Sequence, residues 1–410
     1  MSETRSRIRA LRAALPLLLL AAFAAVPPGV APAGAQLTIR LTGAPAATRP
    51  GAAVHVAGTF NRWNPADSAY RLTRRGGEWV ITLPDSVRGP VEFKFTLGSW
   101  ETVELDSAGG AAANRALTAP AVGAATYTGA VAAWRDPESA PRPASTATAS
   151  VSVLDTAFAM PELGRTRRVW IYLPPGYATS GRRYPVLYVH DGQNVCDAAT
   201  SFAGEGGVDE ALDSLHAAGV PGAIVVAVDN GGEHRIGEYS PWKHPRHGGG
   251  EGAAYVDFLA YTLKPWIDAR FRTRADREGT AVMGSSMGGL ISLYAALEHP
   301  GVFGLAGVFS PSLWFSPEVF AAARAAGRHR VLPRIYLVSG AREGPPEDPG
   351  VVVRDQARLV DTLAAAGFRV GVDVHAAAPA DGTHSEWFWR REFPAAYRWL
   401  FAGSNQPEER

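Results

Sequence analysis

The chain has 410 residues, 46% hydrophobic and 19% charged, with a formal net charge of +1. That length exceeds one ordinary domain and suits two, and the composition is that of a soluble globular protein. A chain so close to neutral has no electrostatic case for nucleic acid as a partner.

The N-terminus reads as a secretory signal. Arg5, Arg7, Arg9 and Arg12 form a basic start, an apolar run covers residues 13–26, and Ala33-Gly34-Ala35 is a small-residue cleavage site. The run is short for a bilayer span, and no cysteine follows it to carry a lipid anchor. Removal of 1–35 takes away four Arg and one Glu, and +1 becomes −2. The expectation is an exported protein, periplasmic or extracellular, with no integral membrane segment after cleavage. Cys196 is the single cysteine, so no internal disulfide staples the fold. A small buried side chain is the expected role, with a nucleophilic thiol the weaker alternative.

Residues 37–130 read as a small all-β, immunoglobulin-like sandwich. Alternating runs at 37–41, 53–57, 78–83 and 91–95 are separated by turn residues such as Arg49-Pro50-Gly51 and Arg75-Gly76-Gly77. Residues 131–150 are rich in Pro, Ser, Thr and Ala without periodicity, as in an extended linker. From 151 to 403 strand and helix patterns alternate. Strands are predicted at 168–173, 184–190, 223–228, 280–283, 304–309, 334–338 and 370–374, and helices at 208–217, 254–271, 287–298, 353–366 and 385–401. This order gives a mostly parallel sheet covered on both faces, an α/β fold.

The chemistry centres on Gly284-Ser285-Ser286-Met287-Gly288. An apolar strand runs in and a helical pattern follows, which puts Ser286 on a strand–turn–helix apex, as a nucleophile requires. Serine needs a base to take its proton and an acid to orient that base. Four histidines follow. His299 ends the helix that begins at the nucleophile, His329 precedes a strand, and His375 still falls in a strand's alternation. His384 lies in the loop Asp381-Gly382-Thr383-His384-Ser385, after the last strand, and is the expected base. Glu343, in the loop after 334–338, is the best-placed acid. Glu347 and Asp348 lie further out, and Asp381 is too close to His384 in sequence. The oxyanion should be met by the backbone N–H of Met287 and by that of Gln193 in His190-Asp191-Gly192-Gln193-Asn194. His190 and Asp191 have no third ligand at useful spacing, so no metal is expected, and no cofactor is implied. Residues 230–252, rich in Gly, His and Arg, are expected to cross the pocket mouth. There Arg235, Tyr239, Trp242 and, further on, Trp314 are candidates to line it, or to pack the loop down in the case of Tyr239 and Trp242.

Two resemblances add to this reading. The segments Gly58-Thr59-Phe60-Asn61-Arg62-Trp63-Asn64-Pro65 and Phe93-Lys94-Phe95-Thr96-Leu97-Gly98-Ser99-Trp100 resemble the glycogen- and starch-binding modules of amylolytic enzymes and AMP-activated kinase. That resemblance implies Trp63 and Trp100 as stacking platforms, with Lys94 and Asn114 bonding sugar hydroxyls, and a possible glucan or xylan ligand. Core or rim packing is the plainer role for the two tryptophans.

Residues 160–402 resemble the Putative esterase family of α/β-hydrolases, through 190–194, Glu238-Tyr239-Ser240-Pro241-Trp242, 284–288, Ser310-Pro311-Ser312-Leu313-Trp314 and His384-Ser385-Glu386-Trp387. The family includes siderophore, feruloyl and acetyl-xylan esterases. The resemblance supports Ser286 and His384 directly and Glu343 less closely. It implies a serine ester hydrolase working through an acyl-enzyme on acyl esters of carbohydrate, feruloyl or acetyl. A siderophore trilactone esterase is the alternative, favoured by the cations Arg235, Lys243, Arg246 and His247. A glucan-binding protein with an idle hydrolase scaffold is the expectation from another class.

Overall fold

The computed structural model describes residues 36–401 except 46–47, 49–50, 62, 111, 136–142, 203, 246 and 345–347. The expected signal segment, Arg246 and Glu347 lie outside the described residues. Among those described, no helix is long and apolar enough to cross a membrane.

The N-terminal part is all-β. Its strands are β1 (Gln36–Gly43), β2 (His55–Gly58), β3 (Thr73–Arg75), β4 (Glu78–Thr82), β5 (Gly89–Thr96), β6 (Glu104–Leu105), β7 (Arg115–Ala119), β8 (Ala124–Ala130) and β9 (Ala133–Trp134). They form one sheet in the order β3-β4-β1-β8, a second in the order β2-β5-β7, and the short pair β6-β9. Alternation decides the packing. Leu37, Ile39 and Leu41 of β1 and Phe93 and Phe95 of β5 point inward from the two sheets and are nearly or fully buried.

The second part carries an eight-stranded sheet ordered β10-β11-β13-β12-β16-β17-β18-β19. These are β10 (Val151–Met160), β11 (Arg165–Tyr172), β12 (Val186–His190), β13 (Ile224–Val228), β16 (Thr280–Ser285), β17 (Leu305–Phe309), β18 (Arg334–Val338) and β19 (Val374–Ala377), while β14 (Lys243–His244) and β15 (Gly248–Gly249) make a small separate hairpin. From β13 to β19 the sheet is parallel, and β10 and β11 run antiparallel at one edge. The runs of β12, β13 and β17 are buried at every position, as strands covered on both faces must be.

The helices are α1 (Val208–Ala217), α2 (Arg235–Glu238), α3 (Gly252–Asp257), α4 (Lys264–Arg270), α5 (Met287–Glu298), α6 (Glu318–Ala326), α7 (Val351–Ala365) and α8 (Glu386–Phe401). A π-helical stretch over Phe258–Leu263 joins α3 to α4. It falls just before Pro265, whose ring would clash with a carbonyl of a regular turn.

Three expectations need correction. Strand β10 was not foreseen, because it is a largely exposed edge strand, paired with β11 alone and with an irregular register, and it shows neither a clean alternation nor a buried run. The last strand begins at Val374, where it was expected to end. Arg369 instead closes a turn on Asp373 (Nε to Oδ2 2.7 Å) around Gly371, whose φ is +85°. The end of the expected linker is extended but pinned: Ser145 donates to Asp197 (3.0 Å), Thr146 to Glu205 (2.7 Å), and the Thr148 amide to Asp209 (2.8 Å).

Candidate active site

The chain leaves β16 and reverses at Ser286, with φ 59° and ψ −121°. That region is open in practice to glycine alone, so the surroundings must hold it. The Ser286 amide donates to Phe309 O (2.9 Å) and Ser312 N donates to Ser286 O (3.1 Å), which ties the apex to the end of the neighbouring strand. The small neighbours are needed. A Cβ on Gly284 would lie 2.7 Å from the backbone of Gly288, and one on Gly289 would lie 2.7 Å from Phe309 O. Helix α5 starts immediately after the serine, so its N-terminal dipole faces the hydroxyl.

The strand ends on the same rim carry the other groups in sequence. Beyond β17, Ser310 Oγ donates to Glu343 Oε1 (2.6 Å), and Trp389 Nε1 donates to Ser310 Oγ (2.8 Å). Glu343 follows β18, its side chain is fully buried, and its Oε2 lies 3.0 Å from His384 Nδ1. His384 sits just before α8 with 40% of its side chain open to water, edge-on to Trp389. Crowding by protein atoms works against its charged form. The hydrogen bond and charge of Glu343, with the charges of Glu92 and Glu386, outweigh that and hold its pKa above the ordinary 6.5. Ser286 Oγ hydrogen-bonds to Ser312 Oγ (3.3 Å) instead of the imidazole. The expected direct Ser286–His384 bond is therefore not made in this state. In a site without substrate such bonds are often long, and a neighbouring hydroxyl competes here.

The loop after β12 is built for close approach. A Cβ on Gly192 would lie 2.7 Å from Val228 C. Gln193 is the middle of a single 3₁₀ turn and Met287 is the first residue of α5, so neither amide has a helical carbonyl behind it. The Gln193 side chain accepts from Asn230 N (3.0 Å). Asp191, left-handed at φ 57°, is gripped by Arg235 through Nε to Oδ1 (2.6 Å) and Nη2 to Oδ2 (2.8 Å), and by Asn230 Nδ2 (2.7 Å). Burial opposes the Asp191 charge, but Arg235 overrides it and keeps the carboxyl below the usual range. Beneath the turn, burial pushes His190 down to about 4, and the neutral ring shares a hydrogen bond between Nδ1 and Tyr255 Oη (2.9 Å).

Three of the expected pocket-lining residues do other work. Arg235 is committed to Asp191 and stacks 5.0 Å from the Tyr239 ring centroid. Tyr239 is fully buried, and its hydroxyl accepts the Asp191 amide (3.0 Å). Trp242 packs edge-on against Tyr294 of α5 at 5.6 Å. Trp314, 55% exposed beside His247, stays open to a ligand. His375 stacks on Tyr336 at 4.6 Å, Asp348 pairs with Arg354, and Asp381 pairs with Arg391. Cys196 is free and buried. In the β part, Trp63 and Trp100 lie 6.2 Å apart as a tilted pair, Lys94 bonds Ala112 O, and Asn114 donates to Glu92 (2.9 Å).

Sequence reasoning passed over Ser310, Ser312 and Trp389. The first two lie in a segment noted for its resemblance alone. No local pattern marks a support that acts from 33 residues away.

Fold and site together define an ester hydrolase of the α/β-hydrolase type. The chain belongs to the Putative esterase family, whose model matches residues 160–400. An iron(III) enterobactin esterase from Dickeya dadantii is 28% identical over 272 residues, 63% of this chain and 56% of that one. An endo-1,4-beta-xylanase/feruloyl esterase from Xylanibacter ruminicola is 27% identical over 235 residues, 56% of this chain and 28% of that one. The solved enterochelin esterase of Shigella flexneri superposes with a TM-score of 0.51 at 19% identity, over 86% of this chain and 88% of that one. A likeness that broad takes in the β part as well as the α/β part.

Proposed function

We propose that this protein hydrolyses carboxylic esters through an acyl-enzyme on Ser286, with His384 as base and Glu343 as its orienting acid. The observation that carries the reading is the set of groups gathered at one sheet rim: the strained Ser286 and the hydrogen-bonded series Trp389, Ser310, buried Glu343 and His384. Glu343 engages Nδ1, which leaves Nε2 of His384 to receive the serine proton. Ser286 Oγ then bonds the ester carbonyl carbon, and the oxyanion meets the amides of Met287 and Gln193. His384 returns the proton to the leaving alcohol. A water that gives its proton to the same nitrogen cleaves the acyl-enzyme.

The substrate favoured is an acyl ester of carbohydrate, feruloyl or acetyl. Exposed Trp314 and Trp387 offer faces to an aromatic acyl group, and the tilted Trp63–Trp100 pair offers a platform for sugar or polysaccharide. A siderophore trilactone is the second reading, supported by the enterobactin esterase relative. The cations invoked for it are weak support. Arg235 is neutralised by Asp191, and Lys243 and His247 share a cavity of about 390 Å³ with Glu233 and Glu251. Neither Ser286 nor His384 lines that cavity. Export follows from the N-terminal signal pattern. Turnover of methyl ferulate, acetyl-xylan and a catecholate trilactone, measured side by side with Ser286→Ala as control, tests the reading. Turnover of all three that survives Ser286→Ala overturns it.

A further inference from the structure

The β part and the catalytic part meet close to His384. Arg135, just past β9, donates Nη2 to Phe202 O (2.8 Å), and the Phe202 amide donates to Asn194 Oδ1 (3.2 Å) in the turn that carries Gln193. Gly204 then lies against Glu386, where a Cβ would come within 3.2 Å of the Glu386 Cβ. Phe202 and Gly204 are thus lodged between the end of the β part, the turn bearing Gln193 and the first turn of α8.

Strand β5 completes this junction. Glu92 and Lys94 alternate with the buried Val91, Phe93 and Phe95, so both project from the outer face of the second sheet. The Glu92 carboxylate lies near enough to raise the charged form of the His384 imidazole, and the Lys94 ammonium and the Glu386 carboxyl lie within electrostatic reach of each other. Asp191 and Arg235 also lie within electrostatic reach of Glu386. Among the described residues Lys94 donates to Ala112 O, and its ammonium carries three N–H donors. Glu386 is half-buried and enters no step of the mechanism above.

We propose that Lys94 and Glu386, one from each part of the chain, together hold the alcohol side of the scissile ester, and that the β part is therefore a wall of the catalytic crevice. This rests on the esterase reading and names its leaving group as a neutral, hydroxyl-rich alcohol, a sugar. The chemistry selects that class. A carboxyl and an ammonium within electrostatic reach of each other supply acceptors and donors with no net charge, which suits adjacent hydroxyls. A polyanionic ferric catecholate would meet Glu92 and Glu386, while Asp191 and Arg235 neutralise each other. Burial pushes the Glu386 carboxyl up to about 7 and lowers the Lys94 ammonium, so near neutral pH Glu386 can donate as well as accept. The candidate sugar-binding residues of β5 would then serve the ester being cleaved, not a distant tether.

The test compares kcat/KM for a feruloylated arabino-oligosaccharide with that for methyl ferulate, which lacks the sugar, in the full chain. Lys94→Met and Glu386→Gln are each expected to lower the ratio of the two constants about tenfold or more, mainly through KM of the sugar ester, with Lys94→Arg restoring part of it. Thermal unfolding of each variant identifies one that has simply lost its fold, and Lys94→Arg then carries the comparison. An unchanged ratio in folded variants overturns the inference and leaves the esterase reading intact. Preferred turnover of a catecholate trilactone that both substitutions diminish overturns it too. Methyl ferulate turnover that is indifferent to Ser286→Ala would overturn the esterase reading itself, which separates the two failures.

Discussion

Arg235→Met separates a positioning role for Arg235 from a substrate-binding one. The guanidinium holds both oxygens of Asp191, at 2.6 and 2.8 Å, and Asp191 adjoins the turn that carries the Gln193 amide. Removal of one partner of a buried ion pair costs about 3–5 kcal/mol. Here 22% of the Arg235 and 11% of the Asp191 side chain reach solvent, and Asn230 keeps its bond, so about 2–3 kcal/mol is the expected loss. For a domain of this size that lowers Tm by about 4–12 °C. The turn would loosen with it, so kcat on p-nitrophenyl acetate should fall by about 10–100-fold, short of complete loss of an oxyanion donor. KM should change little.

Asp191→Asn in the same background should recover part of the stability, because the stranded charge is gone. The sign with pH follows from the depressed Asp191 pKa. The contribution is present above the ordinary 3.8 and is lost as pH falls through the lower folded value, so wild type and variant should converge in strong acid. Differential scanning fluorimetry and steady-state kinetics read both effects. Unchanged Tm and kcat with a raised KM would refute the positioning role and return Arg235 to the substrate.

Two further outcomes follow from the same rim. Glu343→Gln should lower kcat by about 10²–10⁴-fold; it should also move the acid limb of kcat/KM, above pH 6.5 in the wild type, to lower pH, because the carboxylate that favours the imidazolium is gone. A pH–rate profile unmoved by the substitution would remove Glu343 from the triad. Ser310→Ala takes away the 2.6 Å bond to Glu343 Oε1 and the acceptor of Trp389, and should cost about 1.5–3 kcal/mol in transition-state energy, read as kcat/KM.

The sequence disclosed the features whose cause is local. Gly284, Gly288 and the apolar run before Ser286 mark an elbow because the steric demand lies within five residues. His384 stood out because a loop after the last strand sits at the same rim. Glu343 followed from the loop after β18. The supports of that geometry were hidden, since Ser310 reaches Glu343, and Trp389 reaches Ser310, only once β17, β18 and α8 are placed. Arg235 misled for the same reason. A basic residue in a Gly-rich loop looks like a ligand for anions, and its partner lies 44 positions earlier. Edge strand β10 was missed because Ser152, Asp155 and Thr156 interrupt its apolar residues, so it shows neither the continuous run of the interior strands nor a regular alternation.

The central claim, that Ser286 is the nucleophile and His384 its base, is tested most directly by covalent labelling with a serine-directed fluorophosphonate, followed by peptide mass mapping. The account predicts one stoichiometric adduct on the peptide bearing Ser286, formed at least about 10³-fold more slowly in His384→Ala. An adduct on another residue, or esterase activity retained in Ser286→Ala, would contradict it.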